Sequence, residues 1–171
     1  MILHVACLPF PSRQGTQAAL ASMLRASARA GRETHVLTYA HGAYAAETAY
    51  QVHRLRDLPR VRSLRSGPSW GKLLLDAQAV FAIRELVRRL EPEAIVAHHV
   101  EAALSASVAG VGPIHYVAHT SLERELAAYF PRALGPAMTA VGRLLDRAAC
   151  SGIQGVGAVS PSLARRIDPG A

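Results

Sequence analysis

Residues 2–17, with the sequence ILHVACLPFPSRQGTQ, decide the fold of this chain. The apolar run at 2–8 predicts a buried strand, residues 9–14 predict an irregular loop, and Gly15 stands where a helix begins. A strand that leads through such a loop into a helix is typical of anion sites in α/β proteins, because the helix start offers free N–H groups. The stretch therefore predicts an anion site at the carboxyl end of the first strand.

The bulk composition indicates one globular domain. The chain has 171 residues, half of them hydrophobic, which is enough for a single core and too short for two full-sized domains. Its apolar runs are of strand length, so no membrane span is expected. The first residues lack the basic segment of a signal peptide, and we therefore expect a cytoplasmic location.

The remaining sequence alternates between strand and helix patterns. The run at 51–55 is short and polar, which predicts an edge strand. Together the patterns predict an α/β fold with a Rossmann-like, open, mostly parallel sheet and helices on both faces. Predicted strands lie at 34–40, 51–55, 94–98, 114–118 and 155–159, and predicted helices at 16–30, 72–90, 100–109, 121–129, 137–149 and 161–167.

Polar residues, including several histidines, follow the predicted strands. In open parallel sheets, ligands bind outside the carboxyl ends of the strands, so these side chains are expected to share one rim of the sheet. The set comprises residues 12–16, His41, His98, His99, Glu101, His119, Thr120, Ser121 and Ser160.

Several other site chemistries fit the sequence poorly. Imidazole and carboxylate ligands suit zinc, but adjacent side chains at a strand end, such as His98 and His99, point to opposite faces, so no metal is expected. The first turn lacks the GxGxxG glycines of a dinucleotide site, and the second strand ends without an acidic residue for the ribose. Ser160 lies in GAVSPS instead of the GxSxG of a nucleophile elbow. We therefore expect no cofactor.

The net charge of +7 comes almost wholly from arginine, since Lys72 is the only lysine. Five arginines cluster between residues 54 and 65, and such a patch suits an anionic surface. No nucleic-acid motif accompanies it, so nucleic acid is not expected as a partner. A second hypothesis is peripheral membrane contact through this patch and Trp70.

Four motifs in this order resemble the N-terminal domain of a GT-B glycosyltransferase, specifically the retaining, family 4-like group. They are the proline-rich loop into Gly15, VAHH at 96–99, YVAH at 116–119 and GAVSPSLARRI at 157–167. The resemblance covers nearly the whole of residues 1–171. It implies a hexosyltransferase that uses a nucleotide-sugar donor, with this domain holding a sugar, lipid-linked or small-molecule acceptor.

The resemblance also implies roles for individual residues. Gly15 and Thr16 would bind the donor phosphates, and His119 would be the catalytic histidine that contacts the sugar and the departing phosphate. Free N–H groups at a helix start suit the charge that develops on a leaving diphosphate. The acceptor side would be formed by Ser12, Arg13, His98, His99 and Glu101.

Two departures from the family pattern stand out. Gln14-Gly15 replaces the usual paired glycines, and the only glutamate pairs near the E-x7-E spacing, such as Glu85 with Glu93, lack the context of the donor-binding domain. We therefore expect a C-terminal donor-binding domain to be absent and the chain to be inactive alone, unless a separate chain supplies that domain. The alternatives are a non-catalytic binding or interaction module with a Rossmann-like fold, and an unrelated flavodoxin-like or nucleotide-binding protein.

Overall fold

The strands form one parallel sheet. The computed structural model describes residues 1–12, 14–42, 48–58 and 70–167. In this part of the chain the sheet order is β3-β2-β1-β4-β5-β6, and every pairing is parallel. This confirms the predicted Rossmann-like fold, with β3 at an edge. The strands are β1 (Ile2–Ala6), β2 (Thr34–Thr38), β3 (Gln51–Arg54), β4 (Ala94–His98), β5 (Ile114–Ala118) and β6 (Gly155–Ala158).

Helices cover both faces of the sheet. Leu20 and Leu24 of the first helix pack on one face with Ala6 and Val36, while Leu3 and Val5 of β1 belong to the larger core on the other face. Successive side chains of β1 point to opposite faces of the sheet, and those of Leu3 to Ala6 are all buried, as is typical of central parallel strands. The helices are α1 (Gly15–Arg29), α2 (Trp70–Leu90), α3 (His99–Ala109), α4 (Leu122–Ala128), α5 (Gly135–Cys150) and α6 (Pro161–Ile167).

Some element boundaries differ from the sequence prediction. The strand pattern extends to Leu8, but β1 ends at Ala6. Leu8 then donates its N–H to the Ala6 carbonyl in a turn, and Phe10 donates to His41. Both side chains stay buried, so their apolar character reflects core packing beyond the strand.

The strand order places a ligand crevice between β1 and β4. The chain leaves β1 toward β2 on one side of the sheet and leaves β4 toward β5 on the other side. The loops after these two adjacent strands therefore diverge, which opens a crevice at their carboxyl ends. Residues from 7 onward and from 99 onward border this crevice.

Candidate functional site

A cleft of about 320 Å³ lies at the carboxyl ends of the central strands. The loop after β1 forms one wall, and the first turns of α3 and α4 form the other. Its lining includes Pro9, Ser12, Gln14, Thr16, Tyr39, Lys72, His99, Glu101, Thr120, Leu122, Glu125 and Tyr129.

The start of α1 faces this cleft. Gln14 precedes the helix in an extended conformation, and its side chain forms no capping hydrogen bond with the first turn. Apart from its chain neighbours and its own helix backbone, a Cβ atom added to Gly15 would meet no atom within 4 Å, so there is room for a ligand beside this residue. N–H groups at such a position favour an anion. Arg13 lies outside the described residues.

A line of three histidines runs from the core to the site. Nδ1 of His4 lies 3.0 Å from Nε2 of His98, and Nδ1 of His98 lies 3.1 Å from Nε2 of His119. His98 is 0% exposed, and it therefore lies beneath the cleft instead of lining it. The structure thus does not place His98 on the acceptor wall where the family resemblance puts it.

Burial keeps these imidazoles neutral at neutral pH. It lowers the pKa of His119 from 6.5 to about 4, with a further contribution from His99. Burial also lowers the pKa of His4 to about 4 and holds the pKa of His98 well below its usual range. A neutral imidazole carries one donor and one acceptor, so the tautomer decides what His119 offers a ligand.

His99 joins the line from the cleft side. It is the first residue of α3, has a positive φ of 68°, and stacks on His119 with ring centroids 5.0 Å apart. Burial lowers its pKa, and the nearby carboxylate of Glu101 opposes this effect. β4 ends at His98 and α3 begins at His99. His98 is therefore buried in the core, whereas His99 lines the cleft.

An ion pair between α2 and α3 lies at the edge of the cleft. Nζ of Lys72 lies 2.8 Å from Oε1 of Glu101, with side chains 20% and 26% exposed. Burial opposes both charges, but the pair outweighs burial: the pKa of Glu101 is lowered and that of Lys72 is raised. The sequence pattern selects Glu101 but gives Lys72 no role. That Lys72 is the only lysine of the chain was the one sequence feature that pointed to it.

Two further acids, both half-buried, support the cleft. The Tyr39 hydroxyl donates to Oδ1 of Asp76 at 2.8 Å, and burial raises the pKa of that carboxyl group. Burial also raises the pKa of Glu125, against a hydrogen bond from Thr120 that lowers it. Neither acid was selected from the sequence, because each lies inside a helix pattern far from any strand end.

Asp146 of α5 holds the loop that carries His119. Its carboxylate accepts the Ser121 hydroxyl at 2.8 Å and the N–H groups of Leu122 and Glu123 at 3.1 Å each. One buried carboxylate thus caps α4 from another helix. A Cβ at Gly142, one turn earlier on α5, would clash with the Leu122 carbonyl, so only glycine permits this approach.

The structure brings most of the predicted site residues together. Ser12, Thr16, His99 and Glu101 line the same cleft. His119 lines an adjoining cavity of about 330 Å³ that shares Thr120 and Glu125 with the cleft and includes Ser160. In the described part of the chain, no three His, Cys, Asp or Glu side chains are arranged to hold a metal ion.

The arginine patch is only partly described. Arg54 donates to the Phe10 carbonyl at 2.8 Å and so supports the loop after β1. Arg60, Arg62 and Arg65, and the side chain of Trp70, lie outside the described residues. No described helix is long and apolar enough to cross a membrane.

Comparison with known proteins places the chain in a family. The model of Glycosyltransferase Family 4 matches residues 13–169. The structure of WaaG, a glycosyltransferase involved in lipopolysaccharide biosynthesis, is similar with a TM-score of 0.60 at 13% identity, over 99% of this chain and 41% of WaaG.

A second structure, that of LpCGTa in complex with UDP, aligns with a TM-score of 0.42 at 16% identity, over 99% of this chain and 56% of that one. No curated protein gave a significant match. This chain spans about two fifths of the length of WaaG. With 157 consecutive residues matched by the family model, the chain belongs to Glycosyltransferase Family 4.

Proposed function

We propose that this chain is the acceptor-binding half of a glycosyltransferase that moves a hexosyl group from a nucleotide-sugar to an acceptor. The observation that carries the proposal is the position of the open α1 start opposite His99 and Glu101, across one cleft at the carboxyl ends of β1 and β4. The wall formed by the α1 start suits an anion. The wall that carries His99 and Glu101 offers polar groups that can bind the hydroxyls of an acceptor.

The α1 start suits the donor diphosphate. Cleavage of a glycosyl–phosphate bond leaves the bonding electron pair on the phosphate oxygen, so negative charge develops there. The N–H groups of Gly15 and Thr16 are held by the helix and stabilise that charge without rearrangement. The room beside Gly15 permits the phosphate to approach the backbone closely.

The opposite wall suits a hydroxyl-bearing acceptor. The carboxylate of Glu101 accepts hydrogen bonds, and Lys72 keeps it ionised inside the cleft. Next to this pair, an apolar cavity of about 410 Å³ is bordered by Val80, Leu104 and Leu126. The acceptor therefore carries its hydroxyl near Glu101 and has room for an apolar portion between α2, α3 and α4.

The donor nucleotide requires groups that this chain does not provide. No E-x7-E motif with its family context occurs among its residues. We therefore propose that a C-terminal donor-binding domain, on the same or a separate chain, completes the cleft, and that the 171-residue chain does not turn over alone. Without a donor-binding domain, this chain would be a non-catalytic binding module that uses the same cleft.

A titration of the ¹⁵N-labelled chain with inorganic pyrophosphate tests the phosphate site. We expect amide shifts at Gln14, Gly15 and Thr16, and smaller ones in the loop after His119. Shifts confined to other helix starts, or none at millimolar pyrophosphate, would contradict the proposal. The companion test is a search for a second Rossmann-like domain with paired glutamates, encoded after Ala171 or carried by a separate chain that co-purifies.

A further inference from the structure

The histidine line has one buried end without a partner. His4 donates or accepts at Nδ1 toward His98, but its Nε2 is fully buried and forms no hydrogen bond with any residue that the structure describes. His98 uses both ring nitrogens, one toward His4 and one toward His119. The unpartnered atom at the core end therefore constrains the protons along the whole line.

Only two proton arrangements satisfy both hydrogen bonds. Each bond between neutral imidazoles needs one N–H and one bare nitrogen, and each neutral ring carries one proton. In the first, His4 and His98 donate through Nδ1, and His119 accepts at Nε2 and keeps its proton on Nδ1. In the second, His119 and His98 donate through Nε2, and the proton of His4 remains on the unpartnered Nε2.

The second arrangement buries an N–H group that has no acceptor. Among buried backbone groups, N–H donors without a partner are rarer than acceptors without one. A buried donor that forms no hydrogen bond costs free energy because it has also lost its contact with water. The first arrangement leaves only a bare nitrogen at that position. The low pKa values of His4 and His119, both about 4, keep the rings neutral and the two arrangements exclusive.

We infer that His4 and His98 are positioning residues that hold His119 as the Nδ1–H tautomer. Nε2 of His119 is then occupied by His98, and its Nδ1–H is the ring donor that remains for a ligand in the cavity that His119 lines with Thr120 and Ser160. A donor at this position suits an anionic oxygen and excludes a role for Nε2 as a base. That the oxygen belongs to a phosphate rests on the proposed function, whereas the tautomer does not.

The chain contains its own reference for the opposite tautomer. Nε2 of His35 lies 3.1 Å from Oε1 of Glu33, and its Nδ1 lies 2.9 Å from Nε2 of His53. A carboxylate only accepts, so Nε2 of His35 carries a proton. When that ring is neutral its Nδ1 is bare, and His53 then donates through Nε2. His53 and His119 are therefore each bonded at Nε2, but with the proton on opposite sides of the bond.

Two-bond ¹H–¹⁵N correlation spectra of the full chain at pH 7, with ¹⁵N-histidine, read each tautomer directly. We expect His119 to show a protonated Nδ1 and a bare Nε2, and His53 to show the reverse. The His119 signals are identified by their loss in His119→Gln. A bare Nδ1 on His119 would overturn the inference.

A His98→Phe variant tests the positioning role. Without a donor at its Nε2, His119 should change mainly to the Nε2–H form that free histidine prefers, while His53 stays unchanged. Retention of the Nδ1–H form would show that His98 does not set the tautomer. Should His98→Phe lose amide dispersion, the wild-type spectrum alone decides. An Nδ1–H His119 in a chain that binds no pyrophosphate would refute the proposed function and leave this inference standing.

Discussion

Nδ1 of His98 lies 3.1 Å from Nε2 of His119, and this contact joins the core of the sheet to the candidate site. The contact spans two adjacent strand ends, β4 and β5. Because His98 is fully buried and contacts His119 directly, a charge on one ring is poorly screened from the other. The stability of the fold and the state of the site are therefore linked through these histidines.

Acid should destabilise the chain in a defined pH range. The pKa of His4 is about 4 in the folded chain and 6.5 in the unfolded chain, so between these values the unfolded chain binds the extra proton. Stability is complete above pH 6.5 and falls as the pH drops toward 4, by about 1.4 kcal/mol per pH unit for each such histidine. Urea unfolding at a series of pH values measures the slope.

A His4→Phe variant should flatten this pH dependence by the contribution of one histidine. His115→Gln, which removes an exposed histidine of β5, is the control variant. An unchanged slope in His4→Phe would contradict the assignment of acid sensitivity to the buried line.

The Lys72–Glu101 pair should be coupled more strongly than a surface pair. Each charge is largely withdrawn from solvent, so Lys72→Met leaves Glu101 ionised without its partner, or forces it to take up a proton. We expect a coupling free energy of about 1–3 kcal/mol from a double-mutant cycle with Glu101→Gln. Denaturant unfolding of the four proteins gives the value.

The matched control is the ion pair between Arg143 and Glu123, whose N–O distance of 2.7 Å is similar. Its glutamate is 16% exposed, but its arginine is 53% exposed. Its coupling should be clearly weaker, because water screens the charges. Equal coupling free energies in the two cycles would show that the position of Lys72 and Glu101 at the cleft does not strengthen their ion pair.

Replacement of Asp146 should loosen the loop that carries His119. Asp146→Ala removes the acceptor of one hydroxyl and two backbone N–H groups, so we expect a loss of about 2–4 kcal/mol in the free energy of unfolding. Ser121→Ala removes only one of the three hydrogen bonds and should cost about 1 kcal/mol. A similar loss in both variants, measured by thermal or urea unfolding, would contradict the capping role of Asp146.

The sequence predicted the fold well because its signals are local. Apolar runs such as 94–98, glycine stops such as Gly110, and the alternation of strand and helix each depend on neighbouring residues. Gly110 indeed ends α3 in the left-handed conformation, with φ of 66°. Because helices connect most of the successive strands, a parallel sheet is then expected.

The site was only partly predictable because its key contacts are distant in sequence. His4 interrupts an otherwise apolar strand, and its partner His98 is 94 residues away. Tyr39 and Asp76 are 37 residues apart, and Lys72 and Glu101 are 29 apart. A polar residue in a buried strand predicts that a partner exists, but only the strand order β1-β4 identifies it.

The most direct test of the account compares pyrophosphate binding by two glycine variants. Gly15 begins α1 at the cleft and Gly135 begins α5. Apart from chain neighbours and the helix's own backbone, a Cβ at either position would meet no atom within 4 Å, so neither Gly15→Ala nor Gly135→Ala should disturb the packing around it. In NMR titrations, Gly15→Ala should weaken binding by about tenfold or more, equivalent to about 1.4 kcal/mol, while Gly135→Ala should bind like the unaltered chain. Equal binding by both variants would contradict the assignment of the α1 start as the phosphate site of a sugar-transfer cleft.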